Sequence, residues 1–297
     1  MVLREKRINS NEIHIWYTFT DEVYDPELLK TYFAIINSDE LTKINRYMFE
    51  KDRHSCLLTR ALIRYTLSRY INKKPKLWEF STNKYGKPAL KDDTCNQNYQ
   101  FNISHTKGLI VLALTTSGSV GIDVEGTNRN IIDRNKTDRK KIERNRIDRK
   151  KMDIDIAERF FSPSEAIAIK NAASENRTKL FLDFWTLKES YIKARGMGLS
   201  IPLDKFYFTI TNKNIRINFT PEINDKPENW QFFKFNIADN HNSDLPDIIK
   251  NESLCNITSH KDFHIKYKMS IAINSPQHSP CQLKFFRCVP FQYEKNQ

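Results

Sequence analysis

Glycine is scarce in this chain, with seven among 297 residues. Neither G-x-G-x-x-G nor G-x-x-x-x-G-K-[ST] occurs, which excludes the glycine-lined phosphate loops of dinucleotide-binding and P-loop proteins. The five cysteines (Cys56, Cys95, Cys255, Cys281 and Cys288) are scattered and form no C-x-x-C. They suggest neither a zinc site nor a disulfide framework. No run of ~18 apolar residues occurs, and the first ten residues lack an apolar signal core. A soluble, cytoplasmic protein with no membrane partner is expected. Hydrophobic residues still make up 39% of the chain and aromatics 12%, enough for a packed core rather than a disordered chain.

Negative charge is also under-represented. The formal balance is +12, which favours an anionic partner. Much of the excess lies between Asn128 and Met152, where eleven Lys/Arg face four Asp/Glu. This segment repeats every five residues, with Asp133, Asp138, Glu143 and Asp148 each followed by Arg. Such a period advances about 140° per repeat on a helix, so Thr137, Ile142, Ile147 and Met152 form no single apolar stripe. An exposed low-complexity insertion at about 128–152 is expected, and an Asn-rich loop at about 236–264. A basic arm for nucleic acid is the competing reading, weakened by the lack of interleaved aromatics.

Elsewhere short strands alternate with helices. Ile13–Phe19, Phe101–Ser104, Leu109–Thr115 and Val120–Glu125 read as strands, with the last a hairpin partner of Leu109–Thr115. Helical spacing covers about Pro26–Ile36 and, as two helices, Ser38–Tyr70. Ser162-Pro163-Ser164-Glu165 is a capping box that opens a helix, and another runs from about Thr178 to Arg195, ending at Gly196. Four further strands follow, at Phe206–Thr211, Ile215–Phe219, Trp230–Ile237 and Ile265–Ile273. The pattern is α+β, with a strand-and-helix set in each half: 1–119 as an N-terminal subdomain and 120–297 as a C-terminal one.

Two clusters carry the chemistry. In Gly121-Ile122-Asp123-Val124-Glu125 the carboxylates are two apart on a strand and share a face. In Trp185-Thr186-Leu187-Lys188-Glu189-Ser190-Tyr191-Ile192-Lys193, Glu189 and Lys193 are four apart on one helix face. Carboxylate oxygens suit Mg²⁺, and lysines beside them suit a phosphate-bearing substrate. Taken singly, the first pair also fits a solvated strand face and the second a surface ion pair. His105 alone fits a structural histidine as well. Phe101-Asn102-Ile103-Ser104-His105, the turn Lys84-Tyr85-Gly86-Lys87-Pro88 and a basic helix from Arg53 to Arg64 add weight to a phosphate site. Another Mg²⁺-dependent phosphoryl-transfer enzyme remains an alternative.

Together these residues resemble the 4′-phosphopantetheinyl transferases of the surfactin-synthetase-activating type. That family shows a G-[IV]-D-x-E strand followed by a W-[ST]-x-K-E-[SA]-x-x-K helix, both complete here. Tyr85-Gly86-Lys87-Pro88, Asn102-Ile103-Ser104-His105, Arg159-Phe160-Phe161-Ser162 and Gly198-Leu199-Ser200-Ile201-Pro202-Leu203-Asp204 agree in order, so the resemblance spans roughly residues 10–275. It implies a monomeric pseudo-dimer of two similar α/β subdomains with the active site between them. It implies transfer of phosphopantetheine from coenzyme A to a serine of an acidic apo acyl or peptidyl carrier protein, releasing 3′,5′-ADP. By the same resemblance Asp123, Glu125 and Glu189 would hold Mg²⁺, with Glu189 as base and Lys193 assisting the leaving group. Lys43, Arg64, Lys87, Ser104, His105 and Lys188 would contact coenzyme A. One departure stands out: where the family tends to carry a basic residue for the 3′-phosphate, three positions before Lys43, this chain has Glu40.

Overall fold

A computed structural model describes residues 6–91, 98–127, 152–211, 214–238, 248–250, 265–275 and 280–292. The chain divides into two units, Met1–Val120 with Ser279–Gln297, and Gly121–His278. Residues 280–292, expected to continue the second subdomain, fall in the first unit.

The first unit contains β1 (Glu12–Phe19), α1 (Pro26–Ile35), α2 (Ser38–Asn45), α3 (Glu50–Tyr70), the short hairpin β2 (Phe80–Thr82) and β3 (Pro88–Leu90), β4 (Gln100–Thr106) and β5 (Leu109–Thr115). Local chemistry sets the helix starts. Asp25 accepts from Glu27 N ahead of Pro26 at the head of α1, and Asn37 with Glu40 forms a reciprocal capping box on α2. α3 is 21 residues long, and Leu57, Leu58, Ala61, Leu62 and Leu67 on it are buried in the unit's core with Trp16, Tyr32 and Leu112. Burying each of these leucines contributes about 1.5–3 kcal/mol.

The sheet order is β12-β1-β5-β4, where β12 (Gln282–Arg287) is parallel to β1. The proposed pairing of 109–115 with 120–125 is therefore corrected. β5 has antiparallel neighbours on both edges, β1 and β4, so no edge is left for a third strand. A buried network holds β12 in place. Lys284 Nζ donates to Glu12 Oε1 at 2.6 Å, and His14 lies 2.8 Å from Glu12 Oε2 and 2.6 Å from the Tyr70 hydroxyl. Against the penalty of burial, Lys284, His14 and Asn9 hold the Glu12 carboxyl down at about 2. Trp16 stacks on Phe286 with ring centroids 4.7 Å apart.

The second unit contains β6 (Ser119–Gly126, entering from the first), a helical stretch at 152–160, α4 (Pro163–Asn171), α5 (Arg177–Arg195), the hairpin β7 (Phe206–Ile210) and β8 (Ile215–Phe219), β9 (Trp230–Ala238), β10 (Ile248–Lys250) and β11 (Ile265–Asn274). Its main sheet runs β10-β9-β11-β6. Both units thus combine a four-stranded sheet with a long helix, the α+β organisation expected. The Ser162–Glu165 capping box opens α4. α5 ends at Gly196, whose φ of 66° lets the chain turn off the helix in a left-handed conformation. The basic repeat lies outside the described residues, and so does most of the Asn-rich stretch, apart from the end of β9 and β10.

Candidate active site

The second unit brings the two clusters together. β6 places Asp123 and Glu125 on one face, the first buried and the second half-buried. α5 crosses that face and presents Glu189 and Lys193. Lys193 Nζ donates to Asp123 Oδ1 at 2.6 Å. Burial first, then the negative charge of Asp123, pushes the Glu189 carboxyl up to about 7; Lys193 opposes this and Glu125 adds to it. Three carboxylates and one ammonium therefore share one electrostatic environment.

What lets α5 come so close is Gly121. A Cβ there would stand 2.0 Å from the Ser190 carbonyl oxygen and 2.4 Å from Ala194 N. Its φ is not positive, unlike that of Gly86, Gly108, Gly118, Gly196 and Gly198, so the requirement is for space alone. Polar seams fix the rest of the helix. Asp183 takes Lys234 at 2.7 Å and Lys268 at 3.0 Å, and the Thr186 and Ser270 hydroxyls lie 2.7 Å apart. No local sequence motif marks these contacts. The one local sign of the close approach was the pair of small residues, Ser190 and Ala194, at helical spacing opposite Gly121.

Two expected coenzyme A contacts have other jobs. The Lys188 ammonium is enclosed: it lies 2.8 Å from Glu165 Oε2, with each side chain only 1% exposed, and donates to Leu203 O and Phe206 O. Glu165 in turn accepts from Phe208 N and the Ser162 hydroxyl, so this lysine ties α5 to α4 and β7. Arg64 is equally buried. It donates to Pro75 O and Trp78 O and binds Glu40 Oε2 at 2.6 Å. Neither side chain reaches solvent in this structure.

The remaining positions lie in the first unit. Lys43 is exposed on α2. The turn before β3 is closed by Asn83, whose side chain accepts from Tyr85 N and Lys87 N, with Gly86 at φ 89°. Lys87 Nζ donates to Val120 O at 3.3 Å, and burial lowers its ammonium to about 8. Ser104 is buried and His105 exposed; as neighbours on β4 they point to opposite faces, so the strand does not bring their side chains together.

Among the described residues no three His, Cys, Asp or Glu side chains already close around a point for a metal. The donors nevertheless suit Mg²⁺, which commonly takes one or two carboxylates and completes its shell with water and substrate phosphate. The Glu189 carboxyl is raised first by burial and then by the charges of Asp123 and Glu125, and a cation there would favour its ionised form.

A strand bearing paired carboxylates beneath a helix bearing a carboxylate and a lysine is a donor set that suits Mg²⁺ and phosphate chemistry. Residues 119–244 match the 4′-phosphopantetheinyl transferase superfamily, and residues 25–117 match the family described as 4′-phosphopantetheinyl transferase, N-terminal. The chain belongs to that superfamily: it is an enzyme that moves phosphopantetheine from coenzyme A to carrier proteins. It is 31% identical to the 4′-phosphopantetheinyl transferase Sfp of Bacillus subtilis, over 65% of this chain and 74% of that protein. It is 30% identical to the 4′-phosphopantetheinyl transferase HetI of Nostoc sp., over 64% of this chain and 71% of the relative. A mouse relative, L-aminoadipate-semialdehyde dehydrogenase-phosphopantetheinyl transferase, is 28% identical over 61% of this chain and 55% of its own. No helix among the described residues is long and apolar enough to cross a membrane.

Proposed function

We propose that the transfer is Mg²⁺-dependent and that Asp123, Glu125, Glu189 and Lys193 carry it. The supporting observation is the Glu189 carboxyl, pushed to about 7 by burial and by the charges of Asp123 and Glu125 beside Lys193. Asp123, Glu125 and Glu189 would hold Mg²⁺, which when bound offsets charge on the coenzyme A pyrophosphate.

The chain's own groups do the rest. The carrier serine hydroxyl attacks the β-phosphorus; a new P–O bond forms as the bond to the 3′,5′-ADP oxygen breaks. The serine proton passes to Glu189, directly or through water. Lys193, held against Asp123, neutralises or protonates the departing phosphate. Alignment and charge stabilisation supply most of the rate. Lys43, Lys87, Ser104 and His105 contribute to coenzyme A binding. The carrier is an acidic acyl or peptidyl carrier protein, drawn by a chain of net charge +12. The enzyme acts as a cytoplasmic monomer.

Mass spectrometry tests the proposal. Apo-carrier proteins incubated with enzyme, coenzyme A and Mg²⁺ gain the phosphopantetheine mass, and lose that gain on chelation. Asp123→Ala and Glu189→Gln abolish transfer with the fold intact. Near-normal turnover in either variant, or full activity without divalent metal, would remove these residues from the mechanism.

A further inference from the structure

The face of α5 that bears Glu189 and Lys193 is tied to β6 through the Lys193–Asp123 bond, and its opposite face is tied as well. Residues two apart on a helix point about 200° from each other, so Tyr191 and Arg195 turn away from Lys193. Being four apart, they share a face of their own. Both close on one carboxylate, Asp225, in the stretch between β8 and β9. The Tyr191 hydroxyl donates to Asp225 Oδ2 at 2.9 Å. The Arg195 guanidinium donates to the same oxygen and, at 3.3 Å, to the Tyr191 hydroxyl. The Asp225 side chain is only 9% exposed, so this is an enclosed clasp rather than a surface ion pair. The stretch that carries it is held in turn: Ile223 N donates to Thr220 O and Thr220 N to Lys205 O, each at 3.0 Å. Tyr191 itself is fully buried, with its ring against Phe206, Phe219 and Trp230.

We propose that Asp225, acting through Tyr191 and Arg195, is a positioning residue for Lys193. The inference rests on the proposed function, in which Lys193 serves the departing phosphate. Lys193 stands in the last turn of α5, which ends at Arg195 before Gly196 turns the chain away. The final carbonyls of a helix lack intrahelical partners, and the terminal turn frays unless something outside the helix holds it. Here it is held from two sides. β6 bears on it at Ser190 and Ala194, where Gly121 allows the approach, and the clasp bears on it at Tyr191 and Arg195. A turn gripped this way fixes the Lys193 backbone, and with it the reach of a long, flexible side chain. Charge makes the partner specific. A carboxylate beside a helix C-terminus is unfavourable by itself, and the Arg195 guanidinium offsets that cost. On the far face of α5 from Asp123, Asp225 acts through the helix rather than on substrate.

Steady-state carrier modification by the full chain, run as a double-mutant cycle beside thermal melts, tests this. Asp225→Ala is expected to lower kcat about tenfold while KM for coenzyme A stays within about twofold of wild type, since Lys193 acts on the leaving group. In a Lys193→Ala background the same substitution changes kcat by less than about twofold, because no ammonium is left to place. The melting temperature falls equally in both backgrounds, which separates positioning from stability. Arg195→Ala lowers kcat as Asp225→Ala does. Arg195→Lys recovers most of that loss, because the bond to Asp225 uses a single nitrogen. Asp225→Asn keeps an acceptor for the Tyr191 hydroxyl and loses only the charge, and it carries the same cycle should the alanine variant not fold. An equal loss of kcat in both backgrounds, a matching rise in KM, or wild-type kcat in Asp225→Ala overturns the inference. Failure of the parent reading looks different: Lys193→Ala alone would turn over at the wild-type rate.

Discussion

Replacing Gly121 with alanine is the most discriminating test of how the site is built. The substituted methyl would meet the Ser190 carbonyl oxygen at 2.0 Å and Ala194 N at 2.4 Å, both backbone atoms of α5. Ordinary contacts begin near 3.4 Å, so α5 must retreat by about 1 Å or more; backbone has no alternative rotamer to adopt. The same helix carries Glu189 and Lys193, and the Lys193–Asp123 bond of 2.6 Å would lengthen beyond hydrogen-bonding distance. Overpacking costs about 1–3 kcal/mol of stability. A misplacement of this size costs about 100-fold in turnover. The assay is kcat for carrier modification beside a thermal melt, with Ser119→Ala, exposed on the same strand, as the control that changes neither. The expected signature is a folded, moderately destabilised Gly121→Ala enzyme whose kcat falls about 100-fold. Turnover within about threefold of wild type would refute the argument that helix–strand distance sets the catalytic geometry.

Other outcomes follow from the same contacts. In metal-free protein the Glu189 carboxyl titrates near 7, above its ordinary 4.5. The native state then binds the extra proton between those values, so stability falls as pH rises through that window, by up to about 3 kcal/mol. Mg²⁺ should therefore raise the melting temperature more at pH 8 than at pH 6, and the difference should vanish in Glu189→Gln; a pH-independent shift contradicts the assignment. Lys188→Ala strands the buried Glu165 carboxylate and should cost about 3–5 kcal/mol. Lys188→Met with Glu165→Gln should recover most of that loss in denaturant titrations; a Lys188→Ala melt within a degree of wild type would show the pair to be dispensable. Truncation after His278 removes the Trp16–Phe286 stack, the Glu12–Lys284 pair and buried Cys288 and Phe291. A loss on the order of 5 kcal/mol, comparable to total stability, should leave the first unit unfolded by circular dichroism.

The elements with strong local signals were legible in the sequence. The Ser162–Glu165 capping box, the Gly196 helix stop and the break between α2 and α3 needed no long-range information. The pairing of Asp123 with Glu125, and of Glu189 with Lys193, likewise follows from strand and helix periods alone. Strand pairing did not. Leu109–Thr115 gave no sign that both its edges would be taken by β1 and β4, because register and neighbour choice depend on residues about a hundred positions away. The enclosure of two expected coenzyme A contacts has one physical reason. Lys188 and Arg64 stand in motifs rich in functional charge, yet burial decides whether a charge meets substrate or a buried carboxylate. Burial is set by the packing of other segments.

By itself the sequence determined the chemistry on offer: carboxylates on one strand, a carboxylate and a lysine on one helix, and a family whose members handle coenzyme A. Residue type and spacing along the chain suffice for that. The tertiary structure decided which charges are available to do it. It brought α5 onto β6 at a distance only Gly121 permits, raised Glu189 by enclosing it beside Asp123, and enclosed Lys188 and Arg64 with partners of their own. It also committed Glu40 to the buried Arg64. These outcomes depend on distance and desolvation between residues far apart in the chain, and neither quantity is written in local spacing.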